Sequence, residues 1–323
     1  MTGFSKIIVL FLIAGFIAGC QQHITVKKTK MTGINPVSYT DVTFRSGRDT
    51  VLVSTFDGKI YEVVRNHPGK KQVAHIDDEI YDMAYDPGKE EIYAATLHSG
   101  IAVIDVRNGK TVRTLPLKTT WAHRLCYNPE NGILATYDFK GNNYLWDTTK
   151  DFSTLDIPEQ LKKLRPQYIA DNGTVYFDGN GKITAWNSGT DTVEQTDVKG
   201  RLADVDDENN LLLTGGKEFA FYHSEQDSVY YRKAHPDWPI YLADRDTIVK
   251  VPLSLEINFA LMTGESVYTC GLDKSLRKWD KRSGALAETF SSHRNTPSGM
   301  DMNTGKTQLV TVDLGGNIRF WDL

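Results

Sequence analysis

Apolar and polar residues alternate with a period of two along most of the chain, in runs of five to eight residues that break at Gly, Pro, Asn or Asp. That period belongs to half-buried β-strands, and the breaks are hairpin turns. "DVTFRSGRD", "YDMAYDPGK", "HRLCYNPEN", "QYIADNGT", "LADVDDENN", "INFALMTGE" and "SGMDMNTGK" each read as a strand running into a turn. A second type of strand lies about twenty residues after each. "NNYLWDT" (142–148), "KITAWNS" (182–188), "SLRKWDK" (275–281) and "NIRFWDL" (317–323) share one layout. "GKIYEVV" (58–64), "IAVIDVR" (101–107) and "FAFYHSE" (219–225) are fainter copies.

Aligned on the Trp column, the copies are marked by Val63, Ile104, Trp146, Trp186, Tyr222, Trp279 and Trp321, spaced 41, 42, 40, 36, 57 and 42 residues apart. A period near 40 built from short alternating strands predicts one four-stranded sheet per repeat. Thr136, Thr269 and Thr311 each stand ten residues before their Trp. These columns resemble the WD-repeat β-propeller family across about residues 22–323. The resemblance implies an all-β, seven-bladed propeller. It also implies an Asp-His-Ser/Thr-Trp hydrogen-bond network, incomplete in most blades here. The opening Gly-His pair is missing, with His293 its nearest remnant, and the turn Asp sits at Asp273 but is displaced to Asp138 and Asp313.

"NIRFWDL" would be the third strand of the seventh blade, which then lacks a fourth. "HITVKKTK" (23–30) is the one spare strand, and we expect it to pair beside 317–323 and close the ring. Lys27, Lys28 and Lys30 suit an outermost edge, and a lipid-headgroup contact is the rival role for them.

The first twenty residues stand apart. Lys6 precedes an apolar run from Ile7 to Ile17, short for a membrane span and of signal-peptide length. Ile17-Ala18-Gly19-Cys20 resembles the bacterial lipobox, which implies cleavage before Cys20 and lipid on its thiol and new amine. The expected organisation is a signal peptide at 1–19, a lipid-anchored linker at 20–22 and a propeller at 23–323. Gln21, where retention in the inner membrane favours Asp, leans toward the outer membrane with the propeller facing the periplasm. Cys126 and Cys270 lie in separate strand-like runs and read as free core thiols.

The chain carries 37 basic and 41 acidic residues, a formal charge of −4. That mild acidity gives no electrostatic footprint for nucleic acid. No phosphate loop, nucleophile elbow, CxxC or HExxH occurs, and the histidines lack metal-ligand spacing. "DVDDENN" (204–210) has Asn209 where a calcium loop needs Gly and reads as a solvated turn. No cofactor or metal is expected. Trp121 precedes the first strand of blade 3, and the family resemblance places that position on the upper rim of the channel. Trp121, His123 and Arg124 are therefore candidate partner contacts. Ser38, Glu79, Lys163, Lys199 and Thr296, at corresponding positions, are mixed in chemistry and suggest no small-molecule site. The long spacing before Trp279 predicts an extra loop within 232–251, stiffened by Pro236 and Pro239 around Trp238. Trp238, Tyr241, Arg245 and Asp246 form the second candidate surface. The sequence reading is thus a monomeric, non-catalytic scaffold for protein partners in the cell envelope. The alternatives are a ligand-binding or enzymatic propeller, which converging carboxylates in the channel would favour, and an envelope immunity or inhibitor lipoprotein.

Overall fold

The computed structural model describes residues 38–323 apart from Arg48, His123, Asn180 and Ser292. The strands form seven consecutive antiparallel meanders at 39–75, 80–115, 125–154, 165–196, 201–234, 257–291 and 297–322. These are blades 1 to 7, with strands A to D numbered outward from the centre. The inner A strands are Tyr39–Ser46, Ile80–Asp86, Leu125–Asn128, Arg165–Ile169, Arg201–Val205, Ile257–Met262 and Pro297–Met302. Six blades have four strands, the D strand of blade 3 being only Ser153–Thr154, and blade 7 has three among the described residues. The proposed closing strand, 23–30, lies outside the described residues, as do the signal peptide and Cys20.

Burial explains why the blades form a ring. The B strands carry almost continuous apolar runs, such as Val51-Leu52-Val53 and Leu211-Leu212-Leu213, and are buried along most of their length. Both faces of each such strand need cover, and a neighbouring blade on each side supplies it. Seven apolar clusters result, one at each blade junction. The junction of blades 7 and 1 packs Val310 and Val312 against Tyr39, Val42, Val51 and Val53. Polar ties reinforce it: Ser298 Oγ donates to Tyr39 O at 2.6 Å, and Arg65 pairs with both oxygens of Asp322 at 2.6 and 2.7 Å. Among the described residues, the ring therefore closes by packing blade against blade.

Turn chemistry fixes the B–C hairpins. Gly58 and Gly100 have φ of 75° and 78°, and a Cβ on either would stand 2.0 Å from Ile76 O or 2.3 Å from Leu115 O. Only glycine fits there. Cys126 and Cys270 are buried free thiols, as expected.

The Asp-His-Thr-Trp network is complete in blades 6 and 7. In blade 7, His293 Nδ1 lies 3.1 Å from Asp313 and Nε2 2.7 Å from Thr311 Oγ1, which accepts from Trp321 Nε1 at 3.0 Å. In blade 6, His235 spans Asp273 and Thr269 at 3.2 and 2.7 Å, and Trp279 donates to Thr269 at 2.8 Å. Asp313 thus reaches its histidine despite its displacement in sequence. Asp138 has no histidine partner among the described residues; it accepts from Tyr144 Oη at 2.9 Å and Asn142 Nδ2 at 2.8 Å.

Candidate functional site

Antiparallel meanders put the starts of the A strands, the B–C turns and the D–A connections at one end of every blade. We call this end the upper face. It gathers both surfaces singled out in the sequence.

The segment before blade 3 is clipped to blade 2. Trp121 N donates to Leu97 O at 2.6 Å and Ala122 N to Thr96 O at 3.1 Å, while Phe139 N reaches back to Thr120 O at 3.2 Å. These bonds hold Trp121 at φ 66°, a left-handed conformation that costs a bulky residue about 1–3 kcal/mol. The indole is thereby set between Tyr81, 5.4 Å away, and Phe139, 5.9 Å away and stacked at 19°. Phe56 completes the row, 5.6 Å from Tyr81 and edge-on. The four rings span blades 1 to 3. Phe139 is 70% exposed. Tyr81 donates to Glu79 at 2.7 Å, and that bond, with partial burial, pushes its phenol up to about 12. Arg124 leaves this row and turns into the central channel, and His123 lies outside the described residues.

The extra stretch before blade 6 is not the stiffened loop that its prolines suggest. It is a two-stranded β-hairpin, Trp238–Leu242 paired with Thr247–Val251. Pro239 sits within its first strand, which an isolated ribbon tolerates because one edge of each strand needs no donor. The hairpin rises from the D–A connection on the upper face, and Lys217 pairs with Asp237 at 2.6 Å at its base. Trp238 is half-buried there, whereas Ile240, Tyr241, Ile248 and Val249 are exposed. Tyr241 donates to Asp246 at 2.6 Å across the turn, and among the described residues Arg245 pairs with neighbouring Asp244 at 3.6 Å.

A central cavity of about 980 Å³ runs between the A strands, from Tyr81 and Leu314 at the upper end to Pro87, Pro129 and Thr304 at the lower turns. Three carboxylates line it, which the sequence reading did not anticipate. Each joins two blades through backbone amides. Asp41 accepts from Met83 N at 2.9 Å, Asp82 from Leu125 N at 2.8 Å, and Asp301 from Phe44 N at 2.8 Å. Asp204, buried at the junction of blades 5 and 6, does the same with Met262 N at 2.7 Å. It lies in strand A, not in the solvated turn expected for 204–210; that turn starts at Asp206. Burial raises the carboxyls of Asp41, Asp204 and Asp301. The effect is strongest for Asp41, which also faces the charge of Asp82 and shares a hydrogen bond with it. Among the described residues, no cluster of His, Cys, Asp or Glu is arranged to hold a metal ion.

Comparison of the whole chain with solved structures finds the same architecture at low identity. The crystal structure of the WD40 β-propeller domain of Doa1 matches with a TM-score of 0.67 over 88% of this chain and 92% of that one, at 14% identity. The WD40 repeats of RRP9 match with a TM-score of 0.68 over 86% and 88%, at 9% identity. The fold is that of the WD40 propellers. Neither a protein-family model nor a curated protein sequence matches the chain. The WD40 fold accounts for the two complete hydrogen-bond networks. At these identities the likeness concerns the fold alone, so function has to be argued from the upper face and the channel.

Proposed function

We propose that this chain is a non-catalytic interaction scaffold whose upper face docks a protein partner in a bacterial envelope. The observation that carries the reading is the ring row Phe56–Tyr81–Trp121–Phe139. Aromatic side chains held rigid lose little entropy on binding and dominate interface energetics. Trp121 keeps its place at the cost of a left-handed backbone, and strain of that kind gathers at functional positions. The hairpin adds exposed Ile240, Tyr241, Ile248 and Val249 on the same face. The channel carboxylates are bound to backbone amides as links between blades, which favours a structural role over acid-base chemistry.

The scaffold is carried on lipid at Cys20 and faces the periplasm, with Gln21 favouring the outer membrane. The lipobox at 17–20 supports this, and the propeller acts as a monomer. Among the described residues, no helix is long and apolar enough to cross a membrane. The test is affinity capture of the lipidated chain from envelope extracts, beside Trp121→Ala, Phe139→Ala and the lower-face control Glu130→Ala. A protein retained by the control and lost from both aromatic variants, with folding intact, supports the reading. Equal capture by all three would overturn it.

A further inference from the structure

The A strands can be compared level by level. In each blade the B-strand residue paired with the marker of the repeat is known: Val51, Ile92, Leu134, Val175, Leu211, Val267 and Leu309. Three residues further along strand B lie Ser54, Ala95, Tyr137, Asp178, Thr214, Cys270 and Val312. Their A-strand partners are Asp41, Asp82, Arg165, Arg201, Phe259 and Gly299 in blades 1, 2 and 4 to 7. In blade 3 the register continues from Leu125↔Thr136 to Arg124 beside Tyr137. One tier therefore reads acid, acid, arginine, arginine, arginine, Phe, Gly around the ring.

The two signs are satisfied differently. The acids are occupied by the backbone amides of the next blade, as described. Arg45, which also lines the cavity, is paired with Glu62 and Glu90. Arg124 and Arg201 line the same cavity, and among the described residues no carboxylate lies within ion-pair distance of Arg124, Arg165 or Arg201. Arg201 donates only to neutral oxygens: Asn258 O at 2.6 Å, Ile257 O at 3.0 Å and Thr214 Oγ1 at 3.3 Å. Arg124 meets Gln167 Oε1 at 3.5 Å. Arg165 stands 5.7 Å over the Tyr137 ring. Burial, and then the charge of Arg124, makes Arg201 easier to deprotonate than usual. Two like charges share a partly buried wall without an ion-paired carboxylate among the described residues, Glu256 acting on Arg201 only from farther away, an arrangement that a bound anion would relieve.

We propose that the blade 3–5 wall of the central channel is a binding site for a small multivalent oxyanion, held by the guanidinium groups of Arg124 and Arg201, with Arg165 at its margin. The planar forks suit the oxygens of phosphate or carboxylate groups, and the cavity volume accommodates a small metabolite. This proposal is independent of the scaffold reading, because the arginine wall and the ring row share no residue, although Tyr81 borders both the row and the channel mouth.

Calorimetric titration of the full chain with inorganic pyrophosphate and with citrate tests it. We expect saturable one-to-one binding of at least one anion, weakened by added salt, and the preferred probe separates phosphate from carboxylate ligands. Arg124→Gln removes a side chain whose one side-chain hydrogen bond among the described residues is long, so the fold is expected to survive. Affinity should fall at least tenfold there, and likewise in Arg201→Lys, which keeps a donor to the two carbonyls. Without anion, Arg124→Gln should melt at the same temperature as the parent or higher, since a repulsion is lost. At an anion concentration that saturates the parent, the parent should gain clearly more stability than the variant. Absence of binding by both anions, or binding unchanged in Arg124→Gln, would overturn the site. A marked fall in melting temperature of Arg124→Gln without anion would assign the arginine to the fold and overturn it equally.

Discussion

Asp204 offers a test of the inter-blade links with a definite sign. Its carboxylate accepts from Val205 N at 2.9 Å and from Met262 N of blade 6 at 2.7 Å, and it is enclosed by the junction of blades 5 and 6. Burial raises its pKa from 3.8 to about 6; the amide bonds, distant Lys306 and the Tyr168 hydroxyl oppose the rise without cancelling it. The folded state therefore holds the proton more tightly than the unfolded chain. Stability contributed by this group increases as the pH falls through 6 and is complete below the unfolded value. A difference of about two pH units corresponds to about 3 kcal/mol. His235 and His293 act in the opposite direction. Burial lowers both, so they remain neutral in the fold, and stability is lost as the pH falls through their ordinary value of 6.5. The parent curve alone mixes these effects. Asp204→Asn removes only the first. Urea unfolding of parent and variant at several values from about pH 7.5 to 4.5, a window that stops above the unfolded value, should show the parent gaining about 2 kcal/mol on the variant. A constant difference across that window, or one of opposite sign, would refute the reasoning.

Four further outcomes are expected. Cys20→Ser should abolish labelling by a fatty-acid analogue and release the protein from membranes; unchanged labelling would exclude the lipoprotein. Deleting residues 23–30 with the lipid signal and a flexible spacer retained should cost a few kcal/mol and lower the melting temperature by several degrees, if that segment pairs with blade 7. His293→Ala leaves Asp313 buried without its imidazole and should cost about 2–4 kcal/mol in denaturant unfolding, a smaller loss arguing that the network is dispensable. Trp238→Ala should reduce partner capture while the melting temperature holds; a stability loss with capture intact would make the indole a brace for the hairpin base.

The ring was legible because a repeat of about 40 residues survives substitution as a pattern of burial: Ile104 and Tyr222 stand in the Trp column and are buried like Trp146 and Trp279. Local chemistry was less legible. His235 stands 44 residues before Trp279, because the hairpin intervenes, so spacing concealed a network that the fold assembles. The charged tier was missed for a related reason. Several A strands carry a one-residue irregularity near their start, between Tyr39 and Asp41 and between Leu202 and Asp204 for example, and these shift the facing positions out of step with the sequence repeat. Ser38, Glu79 and Lys199 correspond in the sequence repeat, while Asp41, Asp82 and Arg201 are the residues that share a level in the fold. Asp204 resembles a turn residue in sequence because five acidic or amide residues follow it closely, and only the pairing of Val205 with Leu211 shows where the strand ends. The hairpin was hidden by Pro236 and Pro239, which argue against a strand except at an open edge.

The claim that the upper face is the docking surface is tested most directly by site-specific photo-crosslinking in cells that produce the lipidated chain. A photoreactive residue at Phe139 is compared with one at Glu130, exposed on the lower turn of the same blade. The account predicts a discrete protein adduct from position 139, absent from position 130 and lost when Trp121→Ala is added. Adducts at 130 with none at 139 would contradict it.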